Sequence, residues 1–224
     1  METVCSATRL MDEIETTVSA VRQWLHLTTP IEPVCILVLD PNQAEGKYWL
    51  SRKQPTPSAT GFIVHEANMI VLIGRPDDPV FWNIVRHEAA HFVLMNACPD
   101  YSNIPFWLDE GIATLFETGL DADGRPLPNP HRLQCLHHLS RTRRSLYIKR
   151  LVSVASPRYQ TGHAYARAWG IMTYLYQTQR QPVDYLHALA SQGTSMGLFE
   201  QHILAENETL MDFERAIVSR LIIE

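Results

Sequence analysis

From Phe81 to Met95 the chain is strongly apolar, with Phe81, Trp82, Ile84, Val85, Phe92, Leu94 and Met95 spaced for a largely buried helix, yet His87, Glu88 and His91 interrupt it. That conflict narrows the fold more than any other feature of the sequence. Asp77-Asp78-Pro79 supplies an N-cap, acidic charge at the positive end of the helix dipole and a proline suited to the first helical position, and Cys98-Pro99 ends the run. Residues four apart on a helix share a face, so His87 and His91 can hold one ion while the backbone keeps them rigid. Burying two imidazoles and a carboxylate without partners costs several kcal/mol, and a cation removes most of that cost. His87-Glu88-Ala89-Ala90-His91 therefore reads as two metal ligands with a general base on their flank.

A catalytic zinc site takes three protein ligands and leaves one position open. The third is expected in Phe106 to Gly119, a second apolar helical segment that carries Asp109 and Glu110 among Trp107, Leu108, Ile112, Leu115 and Phe116. Positions 107, 110 and 114 fall on one side of such a helix, which selects Glu110 for the inner face. Asp109 is expected as an exposed acid in the first turn.

H-E-x-x-H, eighteen residues, and then glutamate within W-L-x-E-G-x-A is similar to the gluzincin metallopeptidases, in particular zinc enzymes related to alanyl aminopeptidase; the matching positions are His87, Glu88, His91, Trp107, Leu108, Glu110, Gly111 and Ala113. The chain also resembles smaller peptidase-MA-like proteins, whose length suits it better, and the likeness extends over residues 60–180. The resemblance implies one zinc ion and a role for Glu117 as hydrogen-bond acceptor for a ligating imidazole. It implies that Tyr165, in YARAWGIMTYL, stabilises the oxyanion, although Ala168 and Arg167 replace the glycine and lysine usual there. Tyr159 and His163 are weaker candidates nearby. The G-x-M-E-N segment that binds a substrate's free amino group in the aminopeptidases is missing from Gly61 to Ile73, so endo- and aminopeptidase activity both stay open.

The expected chemistry is hydrolysis of a peptide bond by a zinc-activated water, with Glu88 as base and then acid. Two alternatives remain: a catalytically silent zinc-containing binding or scaffold protein, and a zinc hydrolase acting on a non-peptide bond. Retention of Glu88, which a purely structural zinc site does not need, favours the peptidase. A peptide or protein is the expected substrate, and restraint of the activity is expected from a narrow cleft, a regulatory protein partner or a closed resting form. Gln54 to Thr60 and Gly119 to Pro130 are candidate covers for the cleft.

A net charge of −5 argues against nucleic acid as the main partner, and the single basic run, Arg141 to Arg150, reads as a solvated face. The first residues carry acids and no apolar signal-peptide core, no stretch is long enough to span a bilayer, and a cytoplasmic location is expected. Cys5, Cys35, Cys98 and Cys135 lack paired spacing and read as reduced thiols, mostly buried; Cys135 with His137 and His138 reads as no second metal site.

Leu10, Met11, Ile14, Val18, Val21 and Leu25 predict an amphipathic opening helix. Pro33 to Asp40 predicts a buried strand, Lys47 to Arg52 a second, and Gly61 to Gly74 two strands joined at Glu66-Ala67-Asn68. Helical patterns follow at 131–149, 165–179, 183–190 and 211–221. Strands first and helices afterwards give an α+β class, zincin-like, with a small twisted sheet on the motif helix. The chain is expected to form a single domain of two lobes, 1–119 with the sheet and zinc-site helices and 120–224 helical.

Overall fold

A computed structural model describes residues 2–45, 47, 61–98, 101–142, 146–152, 162–192 and 196–222. The architecture is α+β. Helix α1 (Glu2–Trp24) leads to strand β1 (Cys35–Leu39), then β2 (Gly61–Val64) and β3 (Met69–Ile73). The sheet order is β1-β3-β2, with β1 parallel to β3 from Cys35↔Met69 to Leu39↔Ile73 and β2 antiparallel to it from Gly61↔Leu72 to Val64↔Met69. A short 3-10 turn over His65–Ala67 and Asn68, in the left-handed region at φ 46°, join β2 to β3 where the sequence indicates a turn. Of the expected strand at Lys47 to Arg52, Lys47 is helical and the rest lies outside the described residues.

The centre strand β3 is buried along Ile70 to Ile73, as its unbroken apolar run requires. β1 is different. Expected as buried, it is an edge strand among the described residues, paired on one side alone, and its Cys35 and Val38 are exposed. The thiols follow suit: Cys35, Cys98 and Cys135 are free, but Cys35 is exposed and the other two are half-buried, which corrects the expectation of burial.

Helix α2 (Pro79–Ala97) carries the motif. Asp78 caps it by accepting from Val80 N at 2.9 Å, and Cys98 closes it. Helices α3 (Phe106–Phe116), α4 (Pro130–Arg141), α5 (Ile148–Val152), α6 (Gly162–Gln177), α7 (Val183–Gln192), α8 (Met196–His202) and α9 (Leu210–Ile222) complete the described chain. Two apolar clusters share α2. Phe81, Trp82, Val85, Ala89 and Phe92 pack with Ile14, Ile70 and Leu72, whereas Ala90, Val93 and Leu94 pack with the helical cluster that includes α3 and α6. At about 100° per residue these two faces, and a third bearing His87, Glu88 and His91, project roughly 120° apart. The motif helix is thus buried on two sides and keeps the third for polar groups. No described helix is long and apolar enough to cross a membrane.

Candidate metal centre

The third face of α2 meets α3, which delivers Glu110 to the two histidines. Nε2 of His87 and Nε2 of His91 stand 3.1 Å apart, and Oε2 of Glu110 lies 3.3 Å from the first and 3.5 Å from the second. Among the described residues this is the one group of three that can hold a metal ion. Its outer contacts fix how the rings present themselves. Nδ1 of His91 lies 2.7 Å from Asp109 Oδ1, and Nδ1 of His87 lies 3.0 Å from Glu117 Oε2. A carboxylate accepts, so each Nδ1 carries the donated proton and, in the neutral ring, each Nε2 presents a lone pair.

Three acceptor atoms then converge with no donor among them. Among the described residues Glu110 Oε2 is buried without a hydrogen-bond partner. Such an arrangement is repulsive unless positive charge lies between the atoms. Ligands at about 2.0–2.2 Å from a tetrahedral ion stand about 3.3–3.6 Å apart, close to the separations here. The residues therefore fit a divalent cation. Protons are the other source of positive charge: burial works against a charged His87, but Glu110 and Glu117 outweigh it and raise its pKa to about 9. His91 is likewise raised, with Asp109 and Glu110 overcoming burial. Burial pushes the Glu110 carboxyl upward, yet the two imidazoles hold it well below the usual range.

Glu88 is buried on the same helix, where Gly61 at the start of β2 makes room for it. A Cβ on Gly61 would stand 2.6 Å from Glu88 Cγ and 2.8 Å from its Oε1. Across the site Tyr165 donates to Glu110 Oε1 at 3.2 Å, its ring edge-on to Phe106 and beneath the Arg132 guanidinium. Burial raises the Tyr165 phenol, and the nearby charges of Glu110 and Glu88 raise it further, so it stays protonated at neutral pH.

Asp109 departs from its expected role as an exposed acid: besides His91 it accepts a 2.8 Å bond from Tyr101, whose phenol is itself pushed up by burial and by Asp109. Glu117 is held through Oε1 by Asn129 Nδ2 at 2.5 Å and Arg132 Nε at 3.2 Å. The loop after α3 explains how Asn129 arrives there. Leu127 N donates to Gly119 O, Asp121 Oδ1 accepts from Asp123 N and Arg125 N, and the folded loop returns Asn129 both to cap α4 and to meet Glu117. Tyr101, Asn129 and Arg132 escaped the sequence reading; only Asn129-Pro130, a helix-start dipeptide, carried a local signal. His163 is not among these residues, its ring being stacked with His138 at 6.4 Å, and Tyr159 lies outside the described residues.

No curated protein matches the chain. The span from Trp82 to residue 195, just over half of the chain and holding every residue of the cluster from His87 to Tyr165, matches the model of a family described as a protein of unknown function, DUF1570, and the chain belongs to that family.

Proposed function

We propose that the protein is a zinc-dependent peptidase of the gluzincin type with a zincin-like fold. The observation that carries this reading is the triangle of His87 Nε2, His91 Nε2 and Glu110 Oε2 at 3.1 to 3.5 Å, with Glu88 buried beside it on the same helix. His87, His91 and Glu110 would hold the ion, which would supply a Lewis acid able to lower the pKa of water toward about 7. Glu88 takes a proton from the attacking water and passes it to the departing amine. Contact with Gly61 limits the paths open to the Glu88 side chain, which favours a fixed base. The Tyr165 hydroxyl, protonated at neutral pH, leaves Glu110 Oε1 and donates to the developing oxyanion. Asp109 and Glu117 hold the imidazole tautomers that this chemistry needs.

An extended peptide is expected to lie along β2, whose Gly61 borders Glu88. The test combines zinc content with digestion of a peptide library, with and without chelator, by wild type and Glu88→Gln. One zinc per chain is expected in both proteins, with cleavage reduced about 10²- to 10⁴-fold in the variant. Undiminished cleavage by Glu88→Gln would remove the proposed base, and zinc binding without any wild-type cleavage would point to a scaffold.

A further inference from the structure

Arg86 precedes the first candidate ligand by one residue and does not touch the ligand triangle, yet it binds three elements at once. Its Nε and Nη2 reach Glu13 Oε2 and Oε1 on α1 at 2.7 and 3.5 Å, and its Nη1 reaches Asn83 Oδ1 at 3.1 Å on its own helix. The same Nη1 donates to the backbone carbonyl of Glu117 at 3.0 Å, just beyond the end of α3. The chain then turns at Gly119, at φ +93°, directly over the guanidinium, where an added Cβ would stand 3.3 Å from Nε. The pair is mostly enclosed, with the Arg86 side chain 13% and that of Glu13 23% exposed. A partly desolvated fork-to-carboxylate pair of this kind is directional, and lysine cannot reproduce it.

We infer that the Glu13–Arg86 pair is a positioning device for the metal site, holding the Glu117 backbone so that its carboxylate stays on His87 Nδ1. This assigns work to α1, which carries no recognisable motif and lies outside the matched family span. Arg132 and Asn129 fix Glu117 Oε1 from one side, and Arg86 fixes its main chain from the other, leaving Oε2 for the imidazole. With either anchor gone, Glu117 can relax toward solvent and His87 loses the acceptor that orients it.

The inference rests on the metal-site reading and needs no peptidase activity for its test. Zinc affinity of the full chain is measured by chelator competition for wild type, Arg86→Lys, Arg86→Met and Glu13→Gln. The protected imidazole N–H resonances of the zinc-loaded proteins are followed alongside. Outer-shell losses typically weaken metal binding about 10- to 100-fold, and an effect relayed through Glu117 belongs at the lower end, about 10-fold for Arg86→Met. Glu13→Gln keeps shape and a hydrogen-bond acceptor, so it guards against a variant that fails to fold, and a smaller weakening of the same sign is expected. The His87 Nδ1 proton signal is expected to broaden or shift in all three variants, while that of His91, held by Asp109, does not. Unchanged affinity with an unchanged His87 signal in folded Arg86→Met or Glu13→Gln overturns the inference and leaves the metal site intact. A wild type that binds no zinc overturns both.

Discussion

Glu110 uses its two oxygens differently: Oε1 accepts from Tyr165, and Oε2 faces the two imidazole nitrogens. A carboxylate held in that way offers an ion one ligand atom and leaves space on it for water and substrate. Tyr165→Phe separates the two uses of the phenol. If the hydroxyl serves the oxyanion, kcat falls about 10²- to 10³-fold with little change in KM, and zinc content stays at one per chain. A wild-type kcat would remove Tyr165 from the mechanism, and loss of zinc would make it a support for Glu110. Legibility at this scale followed chain locality. His87, Glu88 and His91 are readable because their spacing is a property of a single helix, and Glu110 because an acid inside an apolar helix needs a partner. Helix rules applied to Asp109 weigh only the dipole of its own helix, so they read a solvated acid, whereas its partner His91 comes from a different helix. Tyr101 and Arg132 likewise acquire their roles only through contacts across the fold.

The two helices that bring Glu110 and Tyr165 together cross at Gly111. A Cβ there would lie 2.7 Å from Met172 Cγ and 2.9 Å from the Ala168 carbonyl oxygen, so α3 and α6 approach nearly backbone to backbone. Gly111→Ala gains about 1 kcal/mol of helix propensity. Overpacking costs about 1–3 kcal/mol, and because one obstacle is backbone rather than a flexible side chain, the cost wins. The expected net loss is about 1 kcal/mol in denaturant unfolding, together with a longer Tyr165 to Glu110 separation in a crystal structure of the variant; equal or greater stability would show that α6 yields without penalty. Elements with strong periodicity and caps were readable, including α1, α2 and the β2–β3 hairpin. The expected helix over 131–149 instead stops at Arg141, with Thr142 N bonded to His138 O, and resumes as α5. Helix α8 went unread because seven residues are too few for a hydrophobic period, although Leu198 and Phe199 bury it.

Across the whole molecule, α1 and α2 both contribute to the two apolar clusters, so a change in charge on the third face of α2 acts on packing throughout the fold. In the metal-free protein the raised pKa of His87, from 6.5 to about 9, and that of His91 make the protonated pair stabilising. That contribution is fully present below about pH 6.5, the value for an unfolded histidine, and is lost as pH rises through the folded values. Glu110 and Glu117, whose pKa values are lowered, work in the opposite sense: their contribution is present above about pH 4.5 and is lost as pH falls through the folded values. The apo protein should therefore melt highest between roughly pH 4.5 and 6.5 and lose stability from pH 6.5 to 9. On the proposed reading zinc would displace the same imidazole protons, so its affinity is expected to climb through the window in which the apo form weakens. Free zinc at about a thousand times Kd contributes about 4 kcal/mol. At about 2–4 °C per kcal/mol for a chain of this size, that raises Tm by about 10 °C. Melting curves with and without zinc from pH 5 to 9 should diverge steadily above pH 6.5. A zinc increment that stays constant or shrinks over that range would mean that the ion binds somewhere other than at His87 and His91.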